Sequence, residues 1–203
     1  VLVSQWLLVP IALAIAKALS LDILSTVSIT GMDIGYGVLG ALPVAGVMAL
    51  LEITQWGWVQ RISERTRTFL ITLLGKDGGG IFGLFFALGV GIAAGVGEEL
   101  MFRGLLQGGL QRYLSTEAAV AASAVVFGLL HAVTPMYAVC AGITGAYFSL
   151  LWLWSGNLVV PIVAHAVYDI GAMLLLSLQL RGESSAQGTS AAPPVATETT
   201  TLK

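Results

Sequence analysis

The sequence predicts an all-α fold: a polytopic membrane helix bundle of about six hydrophobic helices. Three observations carry this. Hydrophobic residues make up 57% of the 203-residue chain. Only 10% of it is charged, where soluble domains carry about 25%. The mean hydropathy is +0.91, and the apolar residues fall into long runs separated by short polar breaks. About 20 apolar residues cross a hydrocarbon core, and several runs approach or exceed that length. The chain is therefore expected in a membrane, multi-pass, with lipid as its solvent.

Residues 2–19 form the first apolar run. It holds Pro10 and Lys17 and lacks a charged leader followed by a small-residue cleavage site, so it is not read as a signal peptide. The chain starts at Val1 rather than Met, which leaves room for an upstream segment. Residues 21–33 are a mixed loop with Asp22 and Asp33. Residues 35–58 form the second span, ending in Trp56 and Trp58, where an aromatic belt would lie. Residues 60–77 are the most polar internal stretch and are expected as a loop. Their Arg61, Arg65, Arg67 and Lys76 put that loop in the cytoplasm by the positive-inside rule. Gly78, Gly79 and Gly80 close it as a hinge.

A third helix is expected over residues 81–110. At 1.5 Å per residue it is about 45 Å long, more than the core is thick, so it tilts, bends at its glycines or protrudes. Ser115 or Thr116 is the expected N-cap of a fourth helix over 118–133. Thr134-Pro135 breaks it, and a fifth runs over 136–154. Pro161 suits the first turn of a sixth, ending near Leu180–Arg181. Residues 1–181 thus form the bundle. Residues 182–203 turn to Ser, Thr, Ala and Pro, too polar to bury a core, and are expected to be disordered. No repeat of fixed period is visible.

A net charge of −2 gives no basic footprint, so nucleic acid is not an expected partner. The single Cys140 lies in an apolar run and reads as a packing residue. The costly residues are elsewhere. Residues 79–97 contain only Gly, Ile, Phe, Leu, Ala and Val, and then come Glu98, Glu99 and Arg103. Ionisable groups at membrane depth mark functional sites. Glu99 and Arg103 are i,i+4 and share a helix face, which reads as a brace. Glu98 is rotated about 100° from Glu99 and gains no partner from its own helix, so it is the carboxylate left for chemistry. Residues 118–168 contain no Asp, Glu, Lys or Arg, yet both histidines of the chain, His131 and His165, fall there. Asp169 shares a face with His165. Glu98, His131 and His165 also have the donor types of a two-histidine, one-glutamate site for a divalent metal such as zinc. No other cofactor is suggested.

Taken in order, Glu98-Glu99-x-x-x-Arg103, Phe127-x-x-x-His131 and His165-x-x-x-Asp169 resemble the signature of the CAAX protease and bacteriocin-processing (CPBP, also called Abi) family of intramembrane endopeptidases. The likeness covers about half the chain, with residues 81–180 as the protease-like core. It implies a helical bundle that hydrolyses peptide bonds at a water-filled cavity within the membrane, on a membrane-associated peptide or protein substrate. Carried over residue by residue, it implies that Glu98 and His131 activate water, that His165 and Asp169 stabilise the oxyanion or orient, and that Glu99 and Arg103 support them. The prenyl-protein enzymes of the family carry Asn where this chain has Asp169. An ionised carboxylate cannot donate to an oxyanion. Asp169 could stay protonated, orient His165 or contact a metal.

One consequence of topology constrains this reading. His131 is late in the fourth helix and His165 early in the sixth. In a simple up-and-down bundle their depths differ by roughly 10–15 Å. The uncharged turn at 133–137 offers a remedy, a buried hairpin tip that stops at mid-depth. Two readings of other classes stand beside the peptidase. One is a non-catalytic immunity or scaffold protein of the same fold, glued by its polar residues. The other is a small proton-relay transporter, whose inverted repeats are not seen.

Overall fold

The computed structural model describes residues 2–190, with side chains through Ser185. Among the described residues there are seven helices, one 3₁₀ turn and no strand. The helices are α1 (Leu2–Ala18), α2 (Gly31–Thr54), α3 (Gly57–Leu74), α4 (Gly80–Leu110), α5 (Thr116–Leu130), α6 (Pro135–Ser155) and α7 (Val159–Ser190). Local chemistry sets their starts. The hydroxyls of Thr30, Ser115 and Thr134 accept from the backbone N–H of Asp33, Ala118 and Tyr137, three N-caps that satisfy donors left free at helix ends. Pro135 follows its cap at the position where a missing N–H costs nothing.

Among the described residues four helices are long and apolar enough to cross a membrane: α2, α4, α6 and the Val159–Ser185 part of α7. Two more, α1 and α5, are apolar but shorter, at 17 and 15 residues. The six hydrophobic helices expected from the sequence are therefore present. Large apolar side chains such as Leu39, Leu50, Phe85, Ile143 and Leu175 point outward, as lipid-facing residues do in a chain of this composition.

The middle of the bundle is α7, packed between α4 and α2. The α4–α7 seam is close because α4 turns glycines toward it. A Cβ on Gly95 would lie 2.7 Å from the Ile162 carbonyl oxygen and 2.9 Å from the Ala166 Cβ. On its other side α4 packs against α1. The α5–α6 pair closes the bundle, α5 against the second half of α4 and α6 against α7. At the ends of the helices remote from α3, Asn157 joins two loops. Its amide accepts from Ser28 N–H and donates to the Ser28 carbonyl.

Three expectations change. The polar stretch 60–77 is not a loop but the helix α3 through Leu74, with Val59, Leu70 and Leu74 buried and its arginines outward. Its apolar residues recur at helical spacing, a signal that its charge obscured. A tight glycine turn follows it, with φ of 67°, 72° and 54° at Gly78, Gly79 and Gly80, a left-handed run that glycine adopts freely. The second span is shifted: α2 ends at Thr54, before Trp56, because Gln55 turns left-handed at φ 55°. The last helix does not stop at Arg181. It continues through residues 182–190, part of the expected tail, and Glu183 pairs there with Arg67 of α3. The remainder of that tail, 191–203, lies outside the described residues. At the α5–α6 hairpin tip Val133 and Met136 are exposed, and Arg65 Nη1 of α3 lies 3.5 Å from the Val133 carbonyl. Beside it, His131 and His165 both come within 4 Å of Glu98 Oε2.

Candidate active site

The site is built on α4 at the point where its backbone widens. From Leu100 to Gln107 the helix takes up i→i+5 hydrogen bonds, and the Gly108 N–H reaches the Arg103 carbonyl. Such stretches are rare and gather at functional sites. Here the polar side chains of the segment are turned inward: Glu98, Glu99, Arg103 and Gln107 are all buried. The Phe102 carbonyl accepts from Ser123 Oγ of α5 at 3.0 Å, which ties the widened turn to its neighbour.

The expected brace is present. Arg103 Nη1 donates to Glu99 Oε1 at 3.1 Å, with both side chains at or below 1% exposure. Arg103 Nη2 donates to the Gly145 carbonyl of α6 at 2.6 Å. The guanidinium lies 4.7 Å from the centroid of Phe127 and 5.6 Å from that of Phe148, a cation–π setting that is stronger away from water. Glu99 has a second task. Its Oε1 also meets His165 Nδ1 at 2.7 Å, so the brace holds an imidazole as well as the arginine.

Both histidines turn toward Glu98. His131 occupies the C-terminal end of α5, where carbonyls lack helical partners. Its Nδ1 lies 2.8 Å from the Phe127 carbonyl, which can only accept, so the proton sits on Nδ1. Phe127 stacks on the ring at 4.2 Å. His131 Nε2 then faces Glu98 Oε2 at 3.3 Å. His165, with Phe148 stacked on it at 5.0 Å, likewise gives its Nδ1–H to Glu99 and turns Nε2 toward Glu98 Oε2 at 3.9 Å. Asp169 Oδ2 stands 3.6 Å from the same nitrogen, beyond good hydrogen-bond length but within ion-pair range. Glu98 and His165 are almost enclosed, whereas His131 and Asp169 each keep 28% exposure. The cluster thus has a closed floor and an open edge. All six residues singled out from the sequence are brought together.

Two further residues belong to the site and have no signal in the motifs. Gln5 of α1 donates from Nε2 to Glu98 Oε1 at 2.9 Å. Gly145 offers the carbonyl that Arg103 needs, and a Cβ there would lie 3.2 Å from Arg103 Nη2 and 3.1 Å from the Phe127 ring.

Among the described residues, no three His, Cys, Asp or Glu side chains stand in metal-holding geometry. The donor chemistry nevertheless suits one. Glu98 Oε2 is buried without a hydrogen-bond partner, and two imidazole Nε2 atoms face it. Each imidazole has its other nitrogen engaged by a carboxylate or a backbone carbonyl, the outer arrangement that ligating histidines use.

No curated protein and no solved structure matches the chain. A family model does: residues 80–171 match the one described as type II CAAX prenyl endopeptidase Rce1-like. That segment runs from the first residue of α4 to just past Asp169 and carries every polar residue of the cluster except Gln5. Over that segment, a little under half of the chain, the protein is similar to the type II CAAX prenyl endopeptidases.

Proposed function

We propose that the chain is a CAAX-protease-like intramembrane endopeptidase and that Glu98 and His131 activate its water. The observation that supports this best is the buried, unpartnered Glu98 Oε2 with two imidazole nitrogens turned toward it. A base within reach of a water, and fixed donors near the developing oxyanion, are what peptide hydrolysis needs. Water held between Glu98 Oε2 and His131 Nε2 attacks the scissile carbonyl carbon. One O–H bond breaks, its proton passes to Glu98, and the new C–O bond leaves an oxyanion. His165, protonated on both nitrogens, offers its Nε2–H to that oxyanion while Glu99 holds its Nδ1–H. As the tetrahedral centre collapses, the C–N bond breaks and Glu98 returns the proton to the leaving amine. Asp169 orients His165 by charge and faces the open edge, where a membrane-associated peptide enters.

In the alternative form, with His165 Nε2 unprotonated, a divalent metal such as zinc would be held by Glu98, His131 and His165, and it would supply a bound water far more acidic than bulk water.

The test is Glu98→Gln, which keeps shape and removes the base. Wild type and variant are purified in detergent and given an internally quenched peptide, with and without a farnesylated CAAX-type end. The wild type is expected to cleave. The variant is expected to lose at least about 10²-fold in rate, the low end of general-base contributions, with an unchanged melting curve. Cleavage retained in the variant rules out the role given to Glu98. Wild type inert on both peptides favours the non-catalytic scaffold. Elemental analysis of the same preparations, repeated after His131→Ala, decides the metal: stoichiometric zinc lost in the variant supports it, and active metal-free protein overturns it.

A further inference from the structure

Glu98 has two carboxylate oxygens, and the helices that carry the motif account for only one of them. Oε2 faces the histidines. Oε1 is held by Gln5 Nε2 at 2.9 Å, from α1, 93 positions away in sequence. The amide cannot be reversed without setting its carbonyl oxygen against the carboxylate, so the donor assignment follows from chemistry.

The approach of α1 is built for this contact. Gln5, Leu8, Ala12 and Ala16 recur at helical spacing on the face turned to the bundle, with Ala12 and Ala16 at 0% and 2% exposure. On α4 the residue beside Glu98 is Gly97. A Cβ there would lie 2.6 Å from the Gln5 carbonyl oxygen and 3.1 Å from the Leu8 Cβ. Gly97 therefore brings the Gln5 backbone close enough for its side chain to reach Glu98. Two independent features, a glycine contact and a directed hydrogen bond, converge on the same residue of α1.

We infer that Gln5 is a positioning residue for the Glu98 carboxylate. By occupying Oε1 it stops rotation of the group and keeps Oε2, the lone pairs that would receive the water proton, aimed between the two imidazoles. The donor of this bond lies outside the matched segment 80–171. The active centre of this chain is therefore incomplete without α1. The inference rests on the hydrolytic reading of Glu98.

Three variants test it: Gln5→Met keeps length without a donor, Gln5→Glu puts an acceptor against an acceptor, and Gln5→Asn keeps the amide on a shorter stem. With the peptide cleaved by wild type, Gln5→Met is expected to lower kcat by about 10- to 100-fold, the effect of outer-shell partners. KM should stay within about twofold, since binding is not altered. Gln5→Glu should be at least as impaired and Gln5→Asn intermediate. The second readout needs no substrate. The infrared carboxylate stretch of Glu98, isolated by subtracting the spectrum of Glu98→Gln, should move in Gln5→Met. A band that stays in place overturns the contact whether or not any peptide is cleaved. If the band moves and Glu98→Gln is dead, but Gln5→Met retains wild-type kcat, positioning by Gln5 is wrong while hydrolysis by Glu98 stands. If Glu98→Gln still cleaves, the hydrolytic reading itself fails, and the positioning role falls with it. Intact folding of each variant is checked by its melting curve.

Discussion

Arg103 is the residue whose loss should be felt most. It is fully buried, its charge is matched by Glu99, and two aromatic rings cover it. Removing one member of such a pair leaves an uncompensated charge away from water, which costs about 3–5 kcal/mol. Arg103→Ala and Glu99→Ala are each expected to lower the melting temperature sharply and to abolish cleavage. Unchanged thermal stability in both would sink the brace. Spacing made this pair legible, since Glu99 and Arg103 share a face whatever the rest of the chain does. The pairing of Glu99 with His165, 66 positions away, was not legible. Nor were Gln5 and Gly145, whose bonds to Glu98 and Arg103 join positions 93 and 42 apart. Periodicity describes one helix at a time, and these contacts exist only after helices have packed. Asp169 stands between the cases. Its face-sharing with His165 was readable, and its 3.6 Å separation from Nε2 suits charge better than donation.

Helices meet at distances their smallest residues allow, and α4 uses glycine on several sides with different consequences. Gly95 faces the Ile162 carbonyl and Ala166 of α7, so Gly95→Ala has to push two backbones apart. Overpacking of this kind costs about 1–3 kcal/mol, and the shift would also carry Glu98 and Glu99 away from His165. Gly89 meets only the Leu2 side chain, at 3.5 Å. Gly89→Ala removes a helix-weakening glycine and should be neutral or stabilising by up to about 1 kcal/mol. Paired melting curves and cleavage rates check the contrast, and equal losses in the two variants would show that the seam is not special. Hydrophobic runs long enough to be helices were plain in the sequence. The helix α3 was obscured because its charges outweighed its period. The depth problem posed by His131 was legible from helix order alone. His131 sits past the end of α5, at a helix terminus beside an exposed tip, so its ring is not confined to the depth of a regular helical position.

At the scale of the molecule, two kinds of ionic contact hold different things. Arg67 of α3 pairs with Glu183 near the end of α7, and both side chains are more than 40% exposed. Exposed pairs contribute about 0–1 kcal/mol, so Arg67→Ala should leave the melting temperature nearly unchanged while Arg103→Ala does not. A large loss from Arg67→Ala would mean that α3 is a structural clamp rather than a surface strap. The buried polar cluster, by contrast, draws on α1, α4, α5, α6 and α7, most of the described helices. This scattering bears on how the protein is made. When synthesis has delivered α1 to α4, the growing chain already holds Glu98 and Gln5 but neither imidazole, and the one that Glu99 steadies arrives with α7. On the hydrolytic reading, a copy that lacks α7 cannot cut itself or its neighbours, and scission becomes available only once α7 has been inserted.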